Sequence, residues 1–164
     1  MGEKDVMRPV QLPSDVPGQL LLHSMPGRYE LWEVFLAQAK ELGLDRIACL
    51  AGPEEIARKS PVYAEALEQG LPYPVDFFPI PDFAQPSDPE AFAVFLDRLV
   101  IHLREGERIL LHCAGGIGRT GTACACLLSR LGCPVDEALD RTRAAGSEPE
   151  TPSQQRWVDE FATA

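Results

Sequence analysis

Residues 107–132 have the sequence "ERILLHCAGGIGRTGTACACLLSRLG", and this stretch decides the fold. Its first seven residues, bounded by Gly106 and by a glycine-rich loop, form the kind of apolar run that is typical of a parallel strand buried on both faces. After the loop, apolar residues recur at helical spacing and predict a helix. A strand that leads through a glycine-rich loop directly into a helix indicates an α/β protein.

Strand and helix patterns alternate throughout the chain. Further strands are predicted at residues 18–24 ("GQLLLHS"), 46–52 ("RIACLAG") and 74–80 ("PVDFFPI"). Further helices are predicted at residues 31–42, 60–70, 88–103, from Pro134 onward and at 151–162. This alternation predicts an α/β fold with a mainly parallel central sheet flanked by helices on both faces. We expect one domain, residues 18–164, preceded by an extended leader, residues 1–17.

The composition excludes several classes of protein. With 164 residues and 45% hydrophobic content, the chain has the size of one domain. Its net charge of -10 argues against broad attraction to nucleic acid or anionic lipid, because such binding uses clustered Lys and Arg. No apolar run approaches the roughly 18 residues of a membrane span. Five cysteines, an odd number without regular spacing, suit a reducing compartment, so we expect a cytoplasmic monomer that binds neither nucleic acid nor membrane.

The glycine-rich loop predicts a binding site for one tetrahedral anion. Because a helix N-terminus presents unpaired N–H groups and a partial positive charge, a tight loop leading into it can wrap its amides around a phosphate. The residues predicted to form this cradle are Ala114, Gly115, Gly116, Ile117 and Gly118. Arg119 adds a planar fork that can hold two oxygens of the anion. A nucleotide loop of the Walker type is excluded, because the chain has no G-K-[ST] sequence.

Cys113 lies at the base of this loop and is the candidate nucleophile. The positive end of a helix and a nearby cation stabilise a thiolate, which can attack a bound phosphate in line and form a phosphocysteine. Arg119 and the loop amides would then stabilise the equatorial oxygens, Thr120 could donate its hydroxyl to the sulfur, and His112 would orient the loop. Taken singly, a buried cysteine or a glycine-rich loop is more often structural. The joint spacing H-C-x5-R-T between an apolar strand and an apolar helix favours the catalytic interpretation.

The loop "HCAGGIGRTG" (112–121) resembles the active-site loop of the cysteine-dependent protein phosphatases, in particular the dual-specificity group and, within it, the kinase-associated phosphatases. Three other segments are similar to this family: "IACLAGPEE" (47–55), "FPIPDFAQPSD" (78–88), which resembles its acid loop, and "TPSQQRWVDEF" (151–161). The resemblance covers most of the chain from about Gly18 onward. It implies the phosphatase fold and a phosphocysteine intermediate, with no metal and no organic cofactor.

The resemblance also implies a general acid, because the leaving oxygen must be protonated as it departs. Asp82 in "PIPDF" matches the family's aspartate, although it could also be a simple turn residue beside a proline. The rival acids are Asp76 and Asp88. Asp88 is better explained as the N-cap before Pro89, and Asp76 lies inside a strand pattern, so we predict that Asp82 is the acid.

Two further residues each have two interpretations. Gln154 aligns, by its T-x-x-Q context, with a glutamine that positions the hydrolytic water in this family, but the same spacing predicts a capping box with Thr151. Cys49 ends the strand "RIACL", near a position where several relatives carry a cysteine that forms a disulfide with the nucleophile under oxidation. Most such cysteines are simply small buried side chains. The remaining cysteines are expected to be structural: Cys124, Cys126 and Cys133.

The loop interior also bears on the substrate. Residues 114–118 include no lysine, whereas relatives that hydrolyse inositol phosphates tend to carry basic residues there. In an acidic chain this favours a phosphorylated protein or peptide, and the short length favours a shallow pocket that accepts phosphotyrosine and phosphoserine or phosphothreonine. Three alternatives stay open: a non-catalytic phosphate-binding module, another anion-binding cysteine enzyme such as an arsenate reductase or a sulfurtransferase, and a protein for which binding a partner such as a kinase matters more than turnover.

Overall fold

The computed structural model describes residues 6–164, which fold around one five-stranded sheet. The strands are β1 (Arg8–Val10), β2 (Gln19–His23), β3 (Arg46–Cys49), β4 (Val75–Phe77) and β5 (Arg108–His112). They lie in the order β1-β2-β5-β3-β4. Strand β5 is central and pairs in parallel with β2 and β3, β4 extends the parallel sheet, and β1 is antiparallel at the edge. The predicted mainly parallel α/β sheet is confirmed.

The helices of the described chain are α1 (Trp32–Glu41), α2 (Pro53–Lys59), α3 (Pro61–Gln69), α4 (Pro89–Arg104), α5 (Gly118–Arg130), α6 (Val135–Ala144) and α7 (Pro152–Thr163). Helix α5 contacts α4, α6 and α7, and these helices cover one face of the sheet. Helix α1 covers the other face. No helix within residues 6–164 has both the length and the apolar character needed to cross a bilayer.

The alternation of side chains along the strands explains these two layers. In β2, Leu20 and Leu22 belong to the core beneath α4 and α5, whereas Leu21 belongs to the core beneath α1. In β5, Leu110 likewise packs on the α1 side, with Phe35 of that helix. Because successive side chains in a strand point to opposite faces, a continuous apolar run buries both faces of the sheet.

Strand β1 changes the domain boundary that the sequence indicated. Residues 1–5 lie outside the described residues, but Arg8–Val10 pair with β2 and are part of the sheet rather than of a separate leader. Met7 and Val16 are buried as well. A strand of three residues is too short to give a periodic signal, and Pro9 is tolerated because β1 is an edge strand.

Helix α2 is a second element that the sequence analysis did not predict. It has only seven residues, and its one buried side chain is Ile56, so its apolar periodicity is weak. Its termini nevertheless carry the usual signals, with Pro53 in the first turn, acidic residues there and basic residues in the last turn. Helices α2 and α3 pack over the carboxyl ends of β2, β3 and β5, against residues such as Met25 and Ala114.

Candidate active site

The glycine-rich loop connects the carboxyl end of β5 to the first turn of α5, as the sequence predicted. Cys113, the residue after β5, is only 3% exposed. Its Sγ accepts a hydrogen bond from the Gly116 N–H at 3.3 Å and another from the Thr120 hydroxyl at 3.0 Å. Two donors and the N-terminus of α5 therefore converge on the sulfur, and this surrounding favours a negative charge there.

Two glycines of the loop have little space around them, and one of them is required. Gly116 has φ +76, and a Cβ at this position would lie 2.7 Å from the carbonyl oxygen of His23. Gly118 begins α5 where a Cβ would collide with the Glu150 side chain. The loop can therefore lie against the end of β2 only with a glycine at position 116, since a side chain there would be both strained and blocked by backbone, whereas the flexible Glu150 side chain can move away from a Cβ at Gly118.

Arg119 is buried and its guanidinium is held from several sides. Nη1 and Nη2 donate to the two carboxylate oxygens of Glu55, both at 2.8 Å, and Nη1 also donates to the Ile80 carbonyl at 2.9 Å. The Arg119 hydrogen bonds are the main cause that lowers the pKa of Glu55 to about 2. Glu55 in turn accepts from Lys59 at 2.8 Å. The fork of Arg119 is thus fixed in orientation before any anion binds.

Sequence reasoning missed Glu55 as a member of the site. It is the last residue of the segment "IACLAGPEE", which resembles the family as a stretch but carries no signal that singles out Glu55. Glu54 and Glu55 both stand in the first turn of α2. Only the rotation of α2 about its axis decides which of the two faces Arg119, and a short helix with one buried residue gives no sequence signal for that rotation.

Asp82 lies next to Arg119, where the acid was predicted. Its Oδ1 is 3.2 Å from Arg119 Nη2 and its Oδ2 is 3.5 Å from Lys59 Nζ. The side chain is 44% exposed, so the carboxyl group can reach both a substrate and water. Its Oδ1 also accepts the N–H of Phe83, which has a left-handed φ of +63. The acid loop therefore presents Asp82 at the mouth of the anion cradle.

The two rival acids have structural roles. Asp88 caps α4, with its Oδ1 accepting the Ala91 N–H at 3.1 Å. Asp76 in β4 is 8% exposed and is paired with Arg46 at 3.2 Å and Arg98 at 2.8 Å. Of the three carboxylates, Asp82 is the one that is paired with Arg119 and open to solvent, so Asp82 is the acid that the geometry favours.

His112 is fully buried and holds the loop rather than acting as a base. Burial is the main cause that lowers its pKa to about 4, so the ring is neutral at neutral pH. Nδ1 lies 2.8 Å from the Cys113 carbonyl oxygen, which can only accept, so Nδ1 carries the hydrogen. Nε2 then accepts from the Tyr63 hydroxyl at 2.9 Å. Tyr63, on α3, was also missed, because nothing local in the sequence couples it to His112.

Gln154 is fully buried and forms the capping box of α7. Thr151 accepts the Gln154 N–H at 3.0 Å, and Gln154 Oε1 accepts the Glu150 and Thr151 N–H groups at 2.8 and 3.2 Å. Its Nε2 donates to the Ala84 carbonyl at 2.8 Å. The capping interpretation is therefore correct, and the side chain also ties α7 to the acid loop. A catalytic role for Gln154 stays a prediction.

Cys49 is buried at the end of β3, with Sγ 3.5 Å from the Ala51 carbonyl. Burial raises the pKa of its thiol to about 12. The β3–β5 register places Cys49 opposite His112, one residue before Cys113. All five cysteines are free thiols, and the oxidative link between Cys49 and Cys113 stays a prediction. The other three are also buried: Cys124, Cys126 and Cys133.

Comparison with known proteins finds a matching phosphatase family. A family model described as "PTP-SAK: Swiss Army Knife protein, DSP-PTPase phosphatase domain" matches residues 15–160. A relative from Invertebrate iridescent virus 3, named "Putative tyrosine phosphatase 067L", is 31% identical in an alignment over 153 residues that covers 82% of this chain. The chain spans 60% of the length of that viral relative.

Two solved structures have similar folds. A kinase associated phosphatase in which serine replaces the catalytic-site cysteine gives a TM-score of 0.84 at 21% identity, covering 96% of this chain and 94% of that one. The active form of Tk-PTP gives a TM-score of 0.68 at 27% identity, covering 92% and 97%. The shared fold, the match over residues 15–160 and the converging Cys113, Arg119 and Asp82 agree with one another. The chain belongs to the DSP-PTPase phosphatase domain family.

Proposed function

We propose that this chain hydrolyses phosphate monoesters on proteins through a phosphocysteine intermediate. The observation that carries the proposal is the convergence of three segments on one point. Cys113 with two hydrogen-bond donors on its sulfur, Arg119 clamped by Glu55, and Asp82 beside the guanidinium supply a nucleophile, an anion grip and an acid. A module that only binds phosphate would require the anion-binding arginine but neither a nucleophile nor an acid.

In the first step the Cys113 thiolate attacks phosphorus, the S–P bond forms and the P–O bond to the substrate breaks. The electron pair of that bond stays on the leaving oxygen, which takes a proton from the Asp82 carboxylic acid. The loop amides and Arg119 stabilise the equatorial oxygens. A phosphate oxygen would take over the Arg119 Nη2 donor that now faces Asp82 at 3.2 Å, and this exchange would free the carboxyl group for proton transfer.

In the second step water attacks the phosphocysteine and gives its proton to the Asp82 carboxylate. The S–P bond breaks, the electron pair returns to the Cys113 sulfur and inorganic phosphate leaves. The Thr120 hydroxyl, 3.0 Å from Sγ, stabilises the departing thiolate. His112 and Tyr63 keep the base of the loop in place. The chemistry uses no metal or organic cofactor.

We propose a phosphorylated protein side chain as the substrate, including phosphotyrosine and phosphoserine or phosphothreonine. Family membership supports a phosphoprotein substrate, and the loop interior without lysine in a chain of net charge -10 argues against polyphosphorylated small molecules. We also propose that the chain acts in the cytoplasm, as a monomer; the five free thiols support the reducing compartment.

The test is hydrolysis of a small aryl phosphate, with a chelator present, by the wild type, Cys113→Ser and Asp82→Asn. We expect turnover by the wild type, none by the serine variant and a strong decrease with Asp82→Asn that a more acidic leaving group relieves. If the wild type is inert but binds vanadate, the chain is a phosphate-binding module. Active wild type would then be tested on phosphotyrosine, phosphoserine and phosphothreonine peptides of one sequence.

A further inference from the structure

Outside the anion cradle, two side chains donate to a single carbonyl oxygen of the active-site loop. Arg8 Nη2 donates to the Gly116 carbonyl at 2.8 Å, and Ser147 Oγ donates to the same oxygen at 2.5 Å. Arg8 Nη1 also bonds to the Ala145 carbonyl at 2.7 Å and to Ser147 Oγ at 3.1 Å. The guanidinium thus joins β1, the segment after α6 and the catalytic loop.

This oxygen belongs to the peptide that joins Gly116 to Ile117. The peptide is trans, so its C=O and N–H groups point in opposite directions. On the other side of the same residue, the Gly116 N–H already donates to the Cys113 sulfur. When two donors hold the carbonyl on the outer side of the loop, the Ile117 N–H is directed to the inner side, where the anion binds.

Gly146 leaves space for the Arg8 guanidinium, and Ser147 binds it. Gly146 has φ +87, and a Cβ at this position would lie 2.6 Å from Arg8 Nη1. Ser147 is 1% exposed, so its hydroxyl is committed to this contact rather than to solvent. An arginine fits this place because its planar fork can bridge three acceptors, whereas a lysine would reach one or two of them.

We propose that Arg8, together with Ser147, is a positioning residue that sets the orientation of the Gly116–Ile117 peptide and thereby completes the ring of amides around the phosphate. The proposal deepens the proposed function and rests on it. It assigns a role in catalysis to β1, whose residues lie more than a hundred positions before the loop. Without the two donors, the peptide is free to turn its N–H away from the anion, which weakens binding of phosphate and of the transition state together.

The experiment compares Arg8→Ala, Arg8→Lys and Ser147→Ala with Arg141→Ala. Arg141 is a matched control, because it donates to the Gln11 carbonyl at 3.0 Å and so ties the same N-terminal segment to α6 without touching the loop. We measure the vanadate inhibition constant, kcat and KM for an aryl phosphate, and the unfolding midpoint. All kinetics are run at a temperature at which each variant is folded.

We expect both Arg8 variants to bind vanadate about tenfold more weakly and to lose kcat/KM by a similar factor, mainly through a higher KM, as expected for one charge-assisted hydrogen bond. Ser147→Ala should show a smaller loss in the same direction, and Arg141→Ala should stay near the wild type in both constants. If Arg8→Ala lowers only the unfolding midpoint, like the control, the proposal is overturned. If Arg8→Ala does not fold, Arg8→Lys and Ser147→Ala decide the matter in the same way.

The failure of the proposed function would look different. In that case the wild type itself shows no turnover, and the effect of Arg8 is read from phosphate binding by calorimetry, in which Arg8→Ala should still bind more weakly than Arg141→Ala. Equal phosphate affinity in these two variants would overturn the positioning role whether or not the wild type is an enzyme.

Discussion

Replacing Glu55 by glutamine tests how much the grip on the phosphate depends on the clamp that holds Arg119. The substitution keeps the shape of the side chain but removes its charge and one of the two acceptors that face the guanidinium at 2.8 Å. Breaking a buried ion pair costs about 3–5 kcal/mol. Arg119 keeps the Ile80 carbonyl and Asp82 as partners, and the glutamine keeps one acceptor, so we place the loss of unfolding free energy below this range, at about 2–3 kcal/mol.

For a domain of this size, such a loss lowers the unfolding midpoint by about 4–12 °C. The misplaced fork should also lower kcat/KM for an aryl phosphate by at least about tenfold, the equivalent of one charge-assisted hydrogen bond. The control is Glu54→Gln, which removes a charge from the neighbouring position in the first turn of α2, beside a cleft of about 530 Å³ that Glu55 and Asp82 also line. If Glu55→Gln matches the control in both midpoint and kcat/KM, the clamp does not position Arg119.

Three further predictions follow from the site. Because the pKa of His112 in the folded state, about 4, lies below its ordinary 6.5, the unfolded chain binds a proton first and stability falls as pH drops from about 6.5 to 4. The pKa of Glu55 is lowered from 4.5 to about 2, so its contribution to the free energy of unfolding is lost as the pH falls from 4.5 to about 2. The unfolding midpoint of Glu55→Gln, measured against pH, should lack this second decrease below pH 4.5. Gly116→Ala should abolish vanadate binding because its Cβ meets backbone, and unchanged calorimetric affinity would contradict this. Peroxide, the oxidant, should take two electrons from Cys49 and Cys113 and link them in a disulfide that thiol reverses; peptide mapping that finds only sulfinic acid at Cys113 would count against it.

The sequence predicted best what is local. The run from Arg108 to Arg130 predicted a strand, a loop and a helix because its apolar pattern and glycines act within a few residues of one another. The capping box at Gln154 is equally local, since it depends on a spacing of three residues. Asp88 as an N-cap was predictable for the same reason.

What the sequence did not predict depends on distant contacts. Glu55 meets Arg119 across 64 positions, and Arg8 meets Gly116 across 108. Each of these contacts depends on the order of the strands in the sheet and on how a short strand or helix is rotated about its axis. Neither feature produces a periodic pattern in the sequence. Strand β1 lies in the stretch that the sequence predicts as a leader, because three residues with a central Pro9 give no alternating pattern. The groups that support the catalytic residues were therefore harder to find than the catalytic residues themselves.

The central claim is that Cys113 carries the phosphoryl group between two chemical steps. The most direct measurement is to mix the protein with an aryl phosphate, quench with acid within milliseconds and locate any phosphorylated peptide by mass spectrometry. The account predicts one phosphoryl group on the peptide that contains Cys113, its absence in Cys113→Ser, and its accumulation when Asp82→Asn is combined with a highly activated leaving group. Rapid release of phosphate with an unmodified Cys113, or with the phosphoryl group on another residue, would contradict it.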